Sequence, residues 1–258
     1  MGSKIKVAVL GVGSLGQHHA RLYAELAAAG TVEFTGVFDT HAETARKIAA
    51  KHNLRVFNSV AEAATNAEAF NIVTPTTTHF DLAKQLLAQG KHVLVEKPMT
   101  DTTEQAAELV QLAQQKNCVL QVGHVERFNP VFKFLQTVAT EPKFIECHRL
   151  SPFPARSTDI GVVLDLMIHD LDLVLAFVNS PVVNVEGVGI PVLSKSEDIA
   201  NVRLRFANGC VANLTASRIS PERMRTLAIS SLLLRTGIPT ASTLVTGDFT
   251  KASTTSRS

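Results

Sequence analysis

The sequence predicts an α/β chain in two parts: a doubly wound parallel sheet over residues 1–123, then an α+β unit over 124–227 on a largely antiparallel sheet. Three observations lead there. From Ile5 to Gly123, short β-branched runs alternate with Ala-rich amphipathic stretches, the grammar of successive βα units. After Gly123 that alternation stops, and strand-like segments follow one another more directly. Two of these are joined by Asn208-Gly209, a dipeptide that accepts the positive φ of a tight hairpin turn.

In chain order, the first part places strands at Ile5–Leu10, Val32–Phe38, Arg55–Phe57, Phe70–Thr74, His92–Glu96 and Val119–Val122. Helices fall near Ser14–Ala29, Ala42–Lys51, His79–Gln89 and Thr103–Lys116. Such a sheet binds its ligand across the carboxyl ends of the strands. The second part places a helix near Pro130–Ala139, a strand at Lys143–Leu150, a polar loop and a strongly apolar helix over Val162–Phe177. Strands follow at Val182–Ile190, Ile199–Phe206 and Cys210–Ser217. From Ala228 onward, thirteen of thirty-one residues are Ser or Thr, so 228–258 reads as a tail.

Composition excludes several roles. The 258 residues contain no apolar run of the roughly eighteen a spanning helix needs, so no membrane partner is expected. A formal charge of +2 points to no polyanionic partner, and nucleic acid is not indicated. Cys118, Cys147 and Cys210 are odd in number and form no CxxC pattern, which fits a reducing cytoplasm and neither a disulfide framework nor a zinc site. The first residues lack an apolar signal core.

The chemistry begins at Gly11-Val12-Gly13-Ser14-Leu15-Gly16, which follows the first strand and opens a helix. In that context a GxGxxG turn binds a dinucleotide: Gly11 permits the tight turn, Gly13 lets a pyrophosphate approach the backbone, and Gly16 allows close packing of the helix. Asp39 ends the second strand, where a carboxylate accepts from the adenosine ribose hydroxyls. A 2′-phosphate would meet like charge there, so NAD is favoured over NADP; helix capping is the plainer alternative role for Asp39. Thr74-Pro75 ends the fourth strand with His79 opening the next helix, and Glu96-Lys97-Pro98 ends the fifth, all on the ligand side. A lysine in a partly desolvated site can exchange a proton with a hydroxyl.

On the apolar helix, Asp165, His169 and Asp172 stand at i, i+4 and i+7, with Leu164, Ile168, Leu171 and Leu175 as the adjoining apolar stripe. A polar ridge on a helix suited to burial faces a cleft, a partner charge or a metal. Joined by His124, the ridge also has the donor types of a divalent-metal site, although nicotinamide chemistry requires no metal.

Taken together, Gly11–Gly16, Asp39, Thr74-Pro75 with His79, Glu96-Lys97-Pro98 and Asp165 with His169 resemble the Gfo/Idh/MocA oxidoreductase family over about residues 4–227. The resemblance implies an N-terminal Rossmann domain holding NAD through Gly11, Val12, Gly13, Ser14, Leu15, Gly16, Asp39, Thr74, Pro75, His79, Glu96 and Lys97. It implies an enzyme moving a hydride between nicotinamide and a sugar or polyol carbon. Lys97 and His169 then handle the hydroxyl proton, either one being the formal base, and Asp165 orients substrate or imidazole.

The segments Gly123–Pro130, Arg149–Phe153 and Asp165–Asp170 are most similar to members acting on nucleotide-linked amino sugars such as UDP-N-acetylglucosamine. Substrate contacts are then expected at Arg127, Asn129, Arg156, Asp165 and His169, with Arg127, Arg149 and Arg156 offering forked donors to a diphosphate or serving as plain ion pairs. The family further implies a homo-oligomer. Family-like sequence fades after about Leu227, so an incomplete second sheet is expected, with few neighbours for Val211–Ser217 and an altered or truncated C-terminal end. That ending supports an alternative function, a non-catalytic NAD-binding sensor.

Overall fold

The computed structural model describes residues 3–139, 141–153, 160–231 and 243–248. The chain divides into two compact units, Met1–Gly123 and His124–Ser258, each with its own sheet and core. No helix among the described residues is long and apolar enough to cross a membrane.

The first unit contains β1 (Lys6–Leu10), β2 (Glu33–Phe38), β3 (Arg55–Val56), β4 (Ala69–Ile72), β5 (His92–Val95) and β6 (Leu120–Val122). All pair in parallel, in the order β3-β2-β1-β4-β5-β6. Leu10 pairs with Phe38 on one side and Ile72 on the other, so Gly11, Asp39 and Val73 emerge side by side where the strand order reverses. That reversal opens the crevice in which such sheets bind ligands. Leu10, Phe57, Phe70, Ile72, Leu86, Val95 and Leu109 are fully buried within the unit's core.

Helices α1 (Gly16–Ala28), α2 (Ala42–His52), α4 (His79–Ala88) and α5 (Thr103–Gln115) fall close to the expected spans. Between them lies an additional helix, α3 (Val60–Asn66). Its start is a local hydrogen-bond device: the Ser59 hydroxyl accepts from the Glu62 N–H at 3.0 Å, and the Glu62 carboxylate accepts from the Asn58 N–H at 2.7 Å. A helix of seven residues has too few turns to show an apolar period, so the Ser-x-x-Glu spacing is its legible signal.

The second unit contains α6 (Pro130–Val138), β7 (Pro142–Leu150), a π-helical turn at Val163–Met167 running into α7 (Ile168–Val178), then β8 (Val182–Ile190), β9 (Ile199–Phe206), β10 (Val211–Ser217), β11 (Met224–Ser231) and β12 (Thr243–Asp248). The sheet order is β12-β11-β7-β10-β9-β8. The Asn208-Gly209 hairpin is present, with Gly209 at φ +83°. The shortage of neighbours expected for Val211–Ser217 is corrected: β10 pairs along its whole length, antiparallel with β9 and parallel with β7. β11 runs across residue 227 and carries the fully buried Ile229. Its antiparallel neighbour β12 also lies in the stretch read as tail. The rest of that stretch, 232–242 and 249–258, falls outside the described residues.

The apolar stripe on the long helix also needs correction. Met167, Leu173, Val174 and Val178 enter the core, with Leu166, Leu171 and Phe177 at its margin, whereas Leu175 is 46% exposed. The π turn holds more residues per turn than α-helix and so rotates the register of everything after it.

A fully buried ion pair anchors the β8–β9 connection. Arg218 Nε donates to Asp198 Oδ1 at 2.8 Å, with both side chains inaccessible to solvent. Asp198 Oδ2 also accepts the N–H groups of Val192, Leu193 and Ser194. Burial would raise the Asp198 carboxyl, but Arg218 and those backbone donors outweigh it and hold the group far below the ordinary carboxylate range. The pair therefore stabilises the fold above the ordinary value of 3.8, and this contribution is lost as pH falls through the lower, folded value. Asp198→Asn leaves Arg218 buried without a counter-charge, and should lower stability at neutral pH by about 3 kcal/mol in urea unfolding. The deficit against the parent protein should narrow as pH is taken below 3.8.

Candidate active site

The glycine turn after β1 is dictated by close approach. A Cβ on Gly11, at φ +82°, would lie 2.5 Å from Val73 O, and one on Gly16 would lie 1.9 Å from Gly11 O. Gly13 differs, because a Cβ there meets nothing within 4 Å. Its open side belongs to a cleft of 710 Å³ bordered by Gly11, Ser14, Leu15, Asp39, Thr74 and Pro75. Leu15, which precedes α1, makes no side-chain cap, and the Gln17 and His18 N–H groups donate to Gly13 O at 3.1 Å and Leu15 O at 2.9 Å; the positive end of the helix dipole still favours an anion there.

Asp39 takes up two backbone donors, Val12 N–H on Oδ2 and His41 N–H on Oδ1, both at 2.8 Å. It thus fixes the glycine turn while bordering the cleft. A clear approach at Gly13, the amino end of α1 and a carboxylate at the end of β2 fit a dinucleotide with free ribose hydroxyls.

His79 lies below the cleft wall, 1% exposed. Its Nδ1 is 2.8 Å from Pro98 O and its Nε2 is 2.9 Å from Thr74 O. The turn at the end of β5 holds Glu96, buried, and Lys97, half-buried, ahead of a cis Lys97-Pro98 bond. The Glu96 carboxylate accepts the Lys97 N–H at 3.3 Å and sits 3.2 Å from His19 Nε2. A Cβ on Gly123 would lie 2.6 Å from Glu96 Oε1. His19 Nδ1 is in turn 2.6 Å from Asn71 Nδ2, and the buried Asn71 Oδ1 has no hydrogen-bond partner among the described residues. Sequence reasoning passed over this chain of polar groups. Its signals were an asparagine inside the apolar strand β4 and a histidine one turn after Gly16.

In the second unit, Asp165 lies in the π turn and His169 in the first turn of α7, both half-buried. Asp172 of the ridge and its neighbour Asp170 pair with guanidinium groups. Asp172 accepts from Arg127 Nε at 2.7 Å and Nη2 at 2.5 Å, and the hydrogen bond to Asp172 raises the Arg127 pKa. Asp170 accepts from the buried Arg149 at 2.8 and 2.7 Å. Burial works against the Arg149 charge, and its bonds to Asp170 prevail, raising its pKa. Glu126, not anticipated, accepts from Arg225 at 2.8 Å and from Arg149 at 3.4 Å.

Arg149 therefore serves a buried ion pair, and Asn129 caps α6 by accepting the Val131 N–H at 3.0 Å. Arg156 lies outside the described residues. With both oxygens of Asp172 taken up by Arg127, the metal reading loses a ligand; no group of three or more His, Cys, Asp or Glu suited to a metal occurs among the described residues.

The glycine turn, the strand order and the carboxylate at the end of β2 define a dinucleotide-binding protein with a second, α+β unit. Residues 5–124 match the oxidoreductase family with an NAD-binding Rossmann fold, and residues 140–231 match the GFO/IDH/MocA C-terminal domain. The chain is 41% identical over 226 residues to UDP-N-acetylglucosamine 3-dehydrogenase of Acidithiobacillus ferrooxidans, covering 87% of this chain and 71% of that protein. A solved structure of that enzyme superposes with a TM-score of 0.81 at 40% identity, over 89% of this chain and 74% of that one. The NAD(+)-dependent scyllo-inositol 2-dehydrogenase of Bacillus subtilis is 26% identical over 238 residues, covering 86% of this chain and 69% of that protein.

This protein belongs to the Gfo/Idh/MocA family of NAD-binding oxidoreductases. Membership decides between enzyme and sensor in favour of the enzyme.

The glycines give a contrast that separates binding from folding. Gly13→Ala should leave thermal stability nearly unchanged and weaken NAD by about tenfold or more in calorimetric titration, near 1.4 kcal/mol. Gly16→Ala should lower thermal stability outright, since its methyl group would fall on Gly11 O.

Proposed function

We propose that the protein oxidises a ring hydroxyl of a nucleotide-linked amino sugar, of the UDP-N-acetylglucosamine type, to a ketone. The observation that carries this reading is the 41% identity to an enzyme of that name over 87% of the chain. The buried support around the Glu96-Lys97-Pro98 turn agrees with it.

NAD, when bound, supplies the hydride acceptor. Gly11 to Gly16 and the amino end of α1 would hold its pyrophosphate, Asp39 would meet a ribose, and Thr74, Pro75, Glu96 and Lys97 would border its nicotinamide end. The chain's own part is proton handling: Lys97 binds the reacting hydroxyl, His169 is its acid–base partner, and Asp165 orients the imidazole or the sugar. As the hydroxyl proton passes to the protein, the oxygen's electron pair forms the carbonyl and the carbon's hydrogen departs with its two electrons. Arg127 spends two N–H groups on Asp172 and keeps exposed donors for a diphosphate, beside Asn129.

Self-association fits the same reading. The outer strand β8 carries Val183 at 63%, Val185 at 62% and Val188 at 56% exposure, an apolar edge that monomers seldom leave open.

Purified protein with NAD should form reduced nicotinamide on UDP-N-acetylglucosamine and more slowly, if at all, on free N-acetylglucosamine or inositols. Lys97→Ala should lower kcat by about 100-fold or more while NAD affinity stays within about threefold. Equal turnover by both proteins would remove Lys97 from the chemistry, and silence on the whole panel would remove the substrate class.

A further inference from the structure

Strands β4 and β5 pair up to Ile72 and Val95, and the final rung is Glu96 N–H to Ile72 O at 3.0 Å. Beyond it the chains separate, one into Thr74-Pro75 beside the cofactor cleft, the other into Lys97-Pro98. His79 stands past that last rung. At 1% exposure it meets Pro98 O with Nδ1 at 2.8 Å and Thr74 O with Nε2 at 2.9 Å.

We propose that His79 is a positioning residue, a doubly protonated ring that ties the turn bearing Lys97 to the turn bordering the cofactor cleft. The inference rests on the reading of Lys97 given above and adds the group that fixes its backbone.

The argument is one of donors and acceptors. A backbone carbonyl oxygen only accepts, and a neutral imidazole has a single N–H. A neutral ring would set a nitrogen lone pair against a carbonyl lone pair at under 3 Å, with no solvent at this depth to relieve it. An imidazolium satisfies both carbonyls. Both nitrogens are then committed to backbone, which leaves His79 no polar atom for the cofactor and distinguishes this role from the direct contact expected of it.

The turn is held on its other side too. Glu96, immediately before Lys97, is fixed by His19 and confined by Gly123. The residues before and after Lys97 are thus each secured by a histidine from a different helix, His19 from α1 and His79 from α4.

His79→Ala, tested in the full chain, should cost about 100-fold in kcat while NAD affinity moves by less than about threefold, as expected when a reacting group is misplaced by about 1 Å. Added imidazole, which as a cation offers two N–H groups, should restore turnover; 1-methylimidazole, which offers one, should not.

Two measurements are independent of turnover. Ring nitrogen resonances of the parent protein should show both His79 nitrogens protonated at neutral pH. Amide exchange at Lys97 should quicken in His79→Ala while exchange in the β1–β2 ladder stays unchanged. A singly protonated ring, an unchanged Lys97 amide, unchanged kcat, or equal rescue by both imidazoles would each overturn the proposal. If the parent protein turned over no sugar, the substrate reading would fall, and the resonance and exchange measurements would still decide the role of His79.

Discussion

The approach of α1 to the backbone of Gly11 is the constraint on which the nucleotide-binding half depends. With no side chain on Gly16, the first helical turn settles against the end of β1 and brings the positive end of its dipole to the glycine turn. The Val12 amide then reaches the Asp39 carboxylate, so the glycine turn and the acid at the end of β2 share one hydrogen bond. The cofactor site is therefore set by backbone geometry first and by side-chain chemistry second.

The second unit is organised by charge compensation. Asp170 and Asp172 on α7 face Arg149 and Arg127, and Glu126 collects Arg225. Burying such groups is unfavourable unless each finds its partner, and here bidentate geometry supplies it. Asp165 and His169 occupy the same helical segment at intermediate burial. Acids committed to ion pairs thus share one element with Asp165 and His169, so a polar ridge alone does not reveal the role of each member.

The first sheet was readable because its signals are local: β-branched runs, a glycine turn and an acid at the end of β2. The order of motifs along the chain by itself points to the family. The unread features depend on distant partners or on local devices without a period. Helix α3 is too short for an apolar repeat, and the π turn displaces the stripe expected at Leu164, Ile168, Leu171 and Leu175. Strand β11 joins the sheet through β7, some eighty residues earlier, so its Ser-rich end reads as tail in isolation. Arg149 resembles a ligand-binding arginine in sequence because nothing local announces its pairing with Asp170.

Gly123 closes the first unit, and the Glu96 carboxylate occupies the space a methyl group there would need. Its backbone N–H also donates to Val95 O at 2.8 Å, one residue before that acid. The boundary between the units is thus no neutral spacer. A chimera that exchanged C-terminal units among relatives would have to place its junction downstream of this residue, because an alanine at the seam would unsettle the lysine-bearing turn before the new partner had folded.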